Sequence, residues 1–161
     1  MEHQEHITLI TTFYNAFQER EAETMASCYD EKIKFSDPVF QDLRGLRAGN
    51  MWRMLLTQAD KNMKIRFSDV WANETTGGAK WEADYVFSKT GRLVKNKITA
   101  QFTFKDGKII EHRDTFNLWK WAGMALGPVG YLLGFTSFIK NKIRKIANSG
   151  LQAFEKKMAG I

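Results

Sequence analysis

Apolar residues recur at threes and fours near the start of the chain. Ile7, Ile10, Phe13/Tyr14 and Phe17 predict an amphipathic helix from about residue 4 to 19. A second short helix is expected to carry Met25 and Tyr29. The period then changes to two. In KIKFSDPVF, Ile33, Phe35 and Asp37 share one face and Lys34 and Ser36 the other. Pro38 has no amide to donate and ends that strand. Helical spacing returns in LRGLRAGNMWRMLLTQ, with Met51, Leu55 and Trp52 as its buried stripe.

The rest up to Trp121 reads as β. Met63 to Ala72 alternates through Ile65 and Phe67, then Val70 after an irregularity. Asn73–Gly78 is a run of turn formers, Gly77-Gly78 included. Trp81, Ala83, Tyr85 and Phe87 alternate cleanly, Thr90-Gly91 turns the chain, and Ile98, Ala100, Phe102 and Phe104 form the next apolar face. Asp106-Gly107 leads into KIIEHRDTFNLWKW. Three helices followed by meandering antiparallel strands predict an α+β fold, helices packed on one face of a curved sheet.

Ala122 to Ile139 is 18 residues without a charge, which touches the length of a membrane span. Pro128 and four glycines punctuate it, so two short apolar segments are expected instead. Ile139, Ile143, Ile146, Phe154 and Met158 then fit a helix with basic residues opposite. The division expected is a domain over 1–121 and an apolar, then basic, helical extension over 122–161 packing on it.

Charge sharpens this division. Up to Trp119 the acidic and basic residues balance. Beyond it, Lys120, Lys140, Lys142, Arg144, Lys145, Lys156 and Lys157 face Glu155 alone, so the whole net charge of +6 falls in the last quarter. Such a tail suits nucleic acid, an anionic membrane surface or an acidic partner, and the plainer reading is a solvated helix face. Cys28 is the single cysteine, which excludes an internal disulfide and a cysteine-based metal site. It is expected in the core. The start, MEHQEHITL, is polar and unlike a signal peptide.

The chemistry lies in strand parity. His112 and Asp114 fall two apart, on the face of Phe116 and Leu118, and Asp37 lies on the face of Ile33 and Phe35. If both faces look into one concavity, an imidazole and two carboxylates meet in an aromatic setting. Desolvation there raises a carboxyl's pKa, and such a set suits proton transfer near neutral pH. The alternative is structural: His112 bonded to a carbonyl, Asp114 paired with Arg113 or Arg66, and Asp37 capping an amide beside Pro38. Trp81, Tyr85, Phe102 and Phe116 would be core in most proteins and could also line a pocket. One His and two separated Asp make a poor metal set, so no metal is expected. His3 and His6 flank Gln4-Glu5 without forming HExxH and are expected at the surface. No GxSxG or phosphate loop is present.

Two stretches carry a family resemblance: FYNAFQEREAETMASCYDEKIKFSDPVFQDLRGLRAG, and FKDGKIIEHRDTFN near the end of the sheet. With them the chain resembles the NTF2-like superfamily, and within it the SnoaL-like and ketosteroid-isomerase-like proteins. The resemblance implies a cone, in which a strongly bent antiparallel sheet wraps three N-terminal helices around a deep apolar cavity. It also implies a homodimer in the cytoplasm and no cofactor. Carried over by position, Asp37 and Asp114 stand at the family's acidic places and His112 at its histidine place. Tyr14 matches the helix-borne tyrosine loosely, and Tyr14 and Trp52 join the four strand aromatics as expected pocket residues. No bridging Arg can be placed for epoxide-hydrolase chemistry.

Three functions follow as expectations. The first is a cofactor-independent isomerase or cyclase acting on a hydrophobic carbonyl compound. The second is a non-catalytic binder of such a molecule. The third is an interaction or membrane-peripheral module that uses the basic tail. A hydrophobic small molecule is the expected ligand, nucleic acid is not expected, and membrane contact is the less favoured role for the tail.

Overall fold

The two periodicities become helices and one curled sheet in the structure, a computed structural model describing residues 1–160. The elements run α1 (Glu2–Gln18), α2 (Ala22–Ser27), β1 (Tyr29–Ser36), β2 (Leu43–Arg44), α3 (Leu46–Gln58), β3 (Lys64–Ala72), β4 (Thr76–Phe87), β5 (Arg92–Lys105), β6 (Lys108–Thr115), α4 (Leu118–Leu126), α5 (Pro128–Leu133) and α6 (Ser137–Met158). The sheet has the order β2-β1-β6-β5-β4-β3. β3 to β6 form the expected antiparallel meander. β1 joins it in parallel, with Phe35 opposite His112. A parallel pair needs a long crossover, and here the connection is everything from β2 to β5. Register shifts in the β1–β6, β3–β4 and β5–β6 pairs bend the strands, as extra residues in a ladder do.

Helix α1 buries Ile10, Phe13, Tyr14 and Phe17 against the sheet. Helix α3 buries Ala48, Met51, Trp52 and Met54. Leu55, expected in that stripe, is instead 39% exposed. Tyr29, expected on the second helix, opens β1. Gly77-Gly78 is not part of the turn but of β4, pairing with Ala72 and Trp71. A side chain on Gly78 would collide with the indole of Trp71 and the carbonyl of Ala100. The pair is therefore a close-approach site inside the sheet.

The chain after β6 folds back twice. Asn117 caps α4 by accepting the amide of Lys120 at 3.0 Å, the usual service of an Asn at a helix start. Helix α4 lies on β5 and forms a second apolar cluster of Val94, Leu118, Trp121, Ala122 and Ala125. Helix α5 doubles back so closely that a side chain on Gly130 would strike the backbone of Ala122. Helix α6 then crosses to α3. Leu151 is fully buried in the main core, and Glu155 takes Arg47 Nε at 3.1 Å and Asn50 Nδ2 at 2.9 Å. Among the described residues no helix is long and apolar enough to cross a membrane.

Candidate functional site

From Glu111 onward strand β6 alternates as its sequence does, and its inward positions carry His112 and Asp114, 1% and 3% exposed. Burying an imidazole and a carboxylate requires partners for every polar atom. They have them. His112 Nε2 lies 2.8 Å from Asp114 Oδ1, and Nδ1 lies 2.7 Å from the hydroxyl of Tyr29. Tyr29 Oη accepts the indole N–H of Trp52 at 2.8 Å, and Asp114 Oδ1 accepts that of Trp81 at 3.3 Å. Neither Arg66 nor Arg113 is the partner of Asp114. Arg66 serves Glu82 and Asp84 on the exposed side of the sheet.

Donor and acceptor counting fixes the protons in this chain. An indole N–H only donates, so Tyr29 Oη is an acceptor towards Trp52. Its own proton then has one place to go, His112 Nδ1. With Nδ1 an acceptor, the imidazole carries its hydrogen on Nε2 and donates it to Asp114 Oδ1. Any reversal would strand the Tyr29 proton in a dry interior. The network runs Trp52 to Tyr29 to His112 to Asp114, all in one direction.

Asp37 stands just past the end of β1. Its Oδ1 accepts the amides of Val39 at 2.7 Å and Phe40 at 2.6 Å, the turn-capping role expected of an Asp before Pro. It is nevertheless an unusual carboxyl. Desolvation pushes its pKa up to about 7, the charge of Asp114 adds to the rise, and the Phe40 and Val39 amides oppose it. So one residue is both a turn cap and an acid poised near neutrality.

The expected aromatic residues divide by place. Trp52 stacks on His112 at 6.2 Å between ring centres, and Phe102 lies 4.5 Å from it. Trp81 holds Asp114. Tyr14 packs on Phe67 and Trp81. Its hydroxyl is the one buried side-chain polar atom without a hydrogen-bond partner among the described residues. Burial, then the negative charge of Asp114, raises its pKa. Tyr85 and Phe116 lie where the two apolar clusters meet. Tyr85 Oη accepts the indole N–H of Trp121 at 2.7 Å, and burial raises its pKa, with a smaller rise from the charge of Asp37.

Sequence reasoning missed Tyr29, Phe13 and Phe35, which complete the wall around His112. His6, expected at the surface, is buried. It stacks on Phe104 at 4.0 Å and bonds the carbonyl of Asn73 at 2.9 Å through Nδ1. Cys28 is buried as expected, and that burial raises its thiol pKa. Among the described residues no three His, Cys, Asp or Glu cluster as a metal site. Two shallow surface depressions, one beside His3 and Asn73 and one beside Asp60 and Lys95, lie apart from the dyad.

Solved structures share this architecture. A candidate polyketide cyclase from Xanthomonas campestris pv. campestris matches with a TM-score of 0.65 at 18% identity, over 77% of this chain and 98% of its own. A candidate SnoaL-like polyketide cyclase from Jannaschia sp. CCS1 reaches 0.68 at 11% identity, over 79% and 95%. An LEH-like epoxide hydrolase of M. tuberculosis gives 0.62 at 19% identity, over 83% and 99%. At such identities the likeness is one of fold. No curated protein matches the chain in sequence. Residues 10–112 match the family model of the SnoaL-like domain. That span runs from the first core residue of α1 to the histidine of the dyad, and by it the chain belongs to the SnoaL-like domain family, on an NTF2-like α+β fold.

Proposed function

We propose that the protein is a cofactor-independent acid–base enzyme of the isomerase or cyclase type, acting on a hydrophobic carbonyl compound. The observation that carries this reading is the buried, hydrogen-bonded His112–Asp114 dyad beside Asp37, whose carboxyl desolvation, with the charge of Asp114 added, pushes up to about 7. A base with such a pKa accepts and returns a proton efficiently near neutrality. In this reading Asp37 takes a proton from the carbon next to the carbonyl. The C–H electron pair moves into the new C=C bond, and the carbonyl oxygen becomes an enolate. The free hydroxyl of Tyr14 donates to that oxygen. Return of the proton to another carbon isomerises the substrate. Attack by the enolate carbon on a second carbonyl closes a ring instead. The dyad fixes the local charge and holds Trp81 and Tyr29 in place.

The cyclase-like neighbours support this choice of chemistry, as does a candidate ketosteroid isomerase from Kribbella flavida at a TM-score of 0.58. The epoxide-hydrolase alternative lacks its bridging arginine: Asp114 is held by His112 and Trp81.

The test is a fluorescence titration with a naphthol or an equilenin-like steroid, phenols that mimic an enolate, on the wild type and Asp114→Asn across pH. Saturable, pH-dependent binding that collapses in the variant supports the site. Absence of binding by both proteins removes the enolate reading. Tight binding equal in both leaves the non-catalytic binder.

A further inference from the structure

Surface patches set the C-terminal extension apart from the rest of the molecule. At the corner between α5 and α6, Tyr131, Leu132, Phe135 and Phe138 are 55%, 71%, 57% and 74% exposed. They fall within one short stretch of chain, from α5 into the first turn of α6. Trp119 donates its indole N–H to the carbonyl of Tyr131 at 3.0 Å, and its ring lies 5.7 Å from that of Phe135. Gly134 packs beneath, against Trp119 and Ala122. The corner is therefore a built surface that keeps large apolar side chains in water. Monomeric proteins seldom do this without a partner for the patch.

Charge identifies the partner. No Asp or Glu stands between Asp114 and Glu155, and Glu155 is already engaged by Arg47 and Asn50. Lys120, Lys142 and Lys145 are exposed around the corner, and none has an acidic partner at ion-pair distance among the described residues. Aromatic and aliphatic side chains ringed by unpaired lysines match the boundary of an anionic bilayer. There the rings reach the acyl region and the ammonium groups stay with the headgroups.

We propose that the α5–α6 corner docks the protein peripherally on membranes rich in acidic phospholipid. The same extension reaches the turn that carries Asp37. Arg144 donates to the carbonyl of Pro38 at 2.9 Å, next to Asp37, and Ile143 packs against the same α4 cluster as Tyr85 and Phe116. Docking thus places the Asp37 side of the sheet next to a reservoir of apolar molecules.

Sedimentation of the full-length protein with vesicles of phosphatidylcholine, with and without about 30% phosphatidylglycerol, tests this. The expected result is binding to the acidic vesicles that falls steeply with salt. It should weaken at least tenfold in Leu132→Ser/Phe138→Ser, and roughly fivefold for each of Lys142→Gln and Lys145→Gln. These positions are exposed, so circular dichroism and melting temperature should match the wild type. Absence of binding at low salt, or binding indifferent to the double variant, overturns the proposal. So does a concentration-dependent dimer abolished by Leu132→Ser/Phe138→Ser, which would assign the patch to a second copy. Binding to a nucleic acid duplex in preference to the vesicles would overturn it as well.

Discussion

Asp37 and Asp114 lie on different strands' ends yet act on one another: desolvation raises the Asp37 carboxyl, and the buried negative charge of Asp114 adds to that rise, to about 7. The ordinary carboxyl value is 3.8, so between these limits the folded state carries the extra proton. Stability from this group is complete below the lower value, falls as pH rises through the window, and is flat above it. Asp37→Asn keeps an oxygen for the Val39 and Phe40 amides and removes the titration. It should be more stable than the wild type at about pH 8, on the order of 1–3 kcal/mol, with the gap closing towards pH 4. Urea melts at both pH values check this, and parallel pH curves for the two proteins would refute it.

Tyr29→Phe should uncouple the network. It leaves the Trp52 indole N–H and His112 Nδ1 without partners, at a cost of about 2–4 kcal/mol in urea unfolding. In the wild type, nitrogen NMR of the imidazole should show the hydrogen on Nε2. A wild-type spectrum with the hydrogen on Nδ1 would break the one-way proton order.

Tyr14→Phe separates function from structure. The hydroxyl has no partner to lose, so the variant should match the wild type in stability or gain up to about 1 kcal/mol. Binding of a naphthol should weaken by about tenfold if that hydroxyl meets the enolate oxygen. A large loss of stability would show a partner for the hydroxyl inside the fold.

Gly130→Ala should loosen the extension and spare the dyad. The added carbon meets the Ala122 backbone, which cannot yield as a side chain does, at a cost of about 1–3 kcal/mol. Amide exchange should rise across residues 127–136 while the His112 imidazole signals stay in place. Unchanged exchange there would mean that α5 sits less tightly on α4 than the structure has it.

Strand alternation counted back from Phe116 was enough to put His112 and Asp114 on one inward face, although an irregularity near the start of β6 breaks the period between the buried Ile109 and His112. It could not supply Tyr29, whose partner lies 83 residues away across a parallel pairing that no local pattern announces. His6 was illegible for a similar reason: its burial depends on the Asn73 turn and on Phe104, not on its own helix. Asp37 was legible as a turn residue, and its second character came only from what is packed around it. Leu55 shows the reverse failure. Its spacing is right for a core stripe, but no other element covers that side of α3.

The parallel pairing of β1 with β6 also sets the order in which this molecule can assemble. The β3–β5 meander closes through short turns and can form early. The β1–β6 ladder must wait until the loop between them is closed, and contacts of such long sequence separation slow folding. Tyr29, His112 and Asp114 therefore meet among the last events. During synthesis on the ribosome the dyad cannot form until β6 has left the exit tunnel. Until then Phe35 and Trp52 lack the strand that covers them, and that interval is when the nascent chain is most exposed to aggregation.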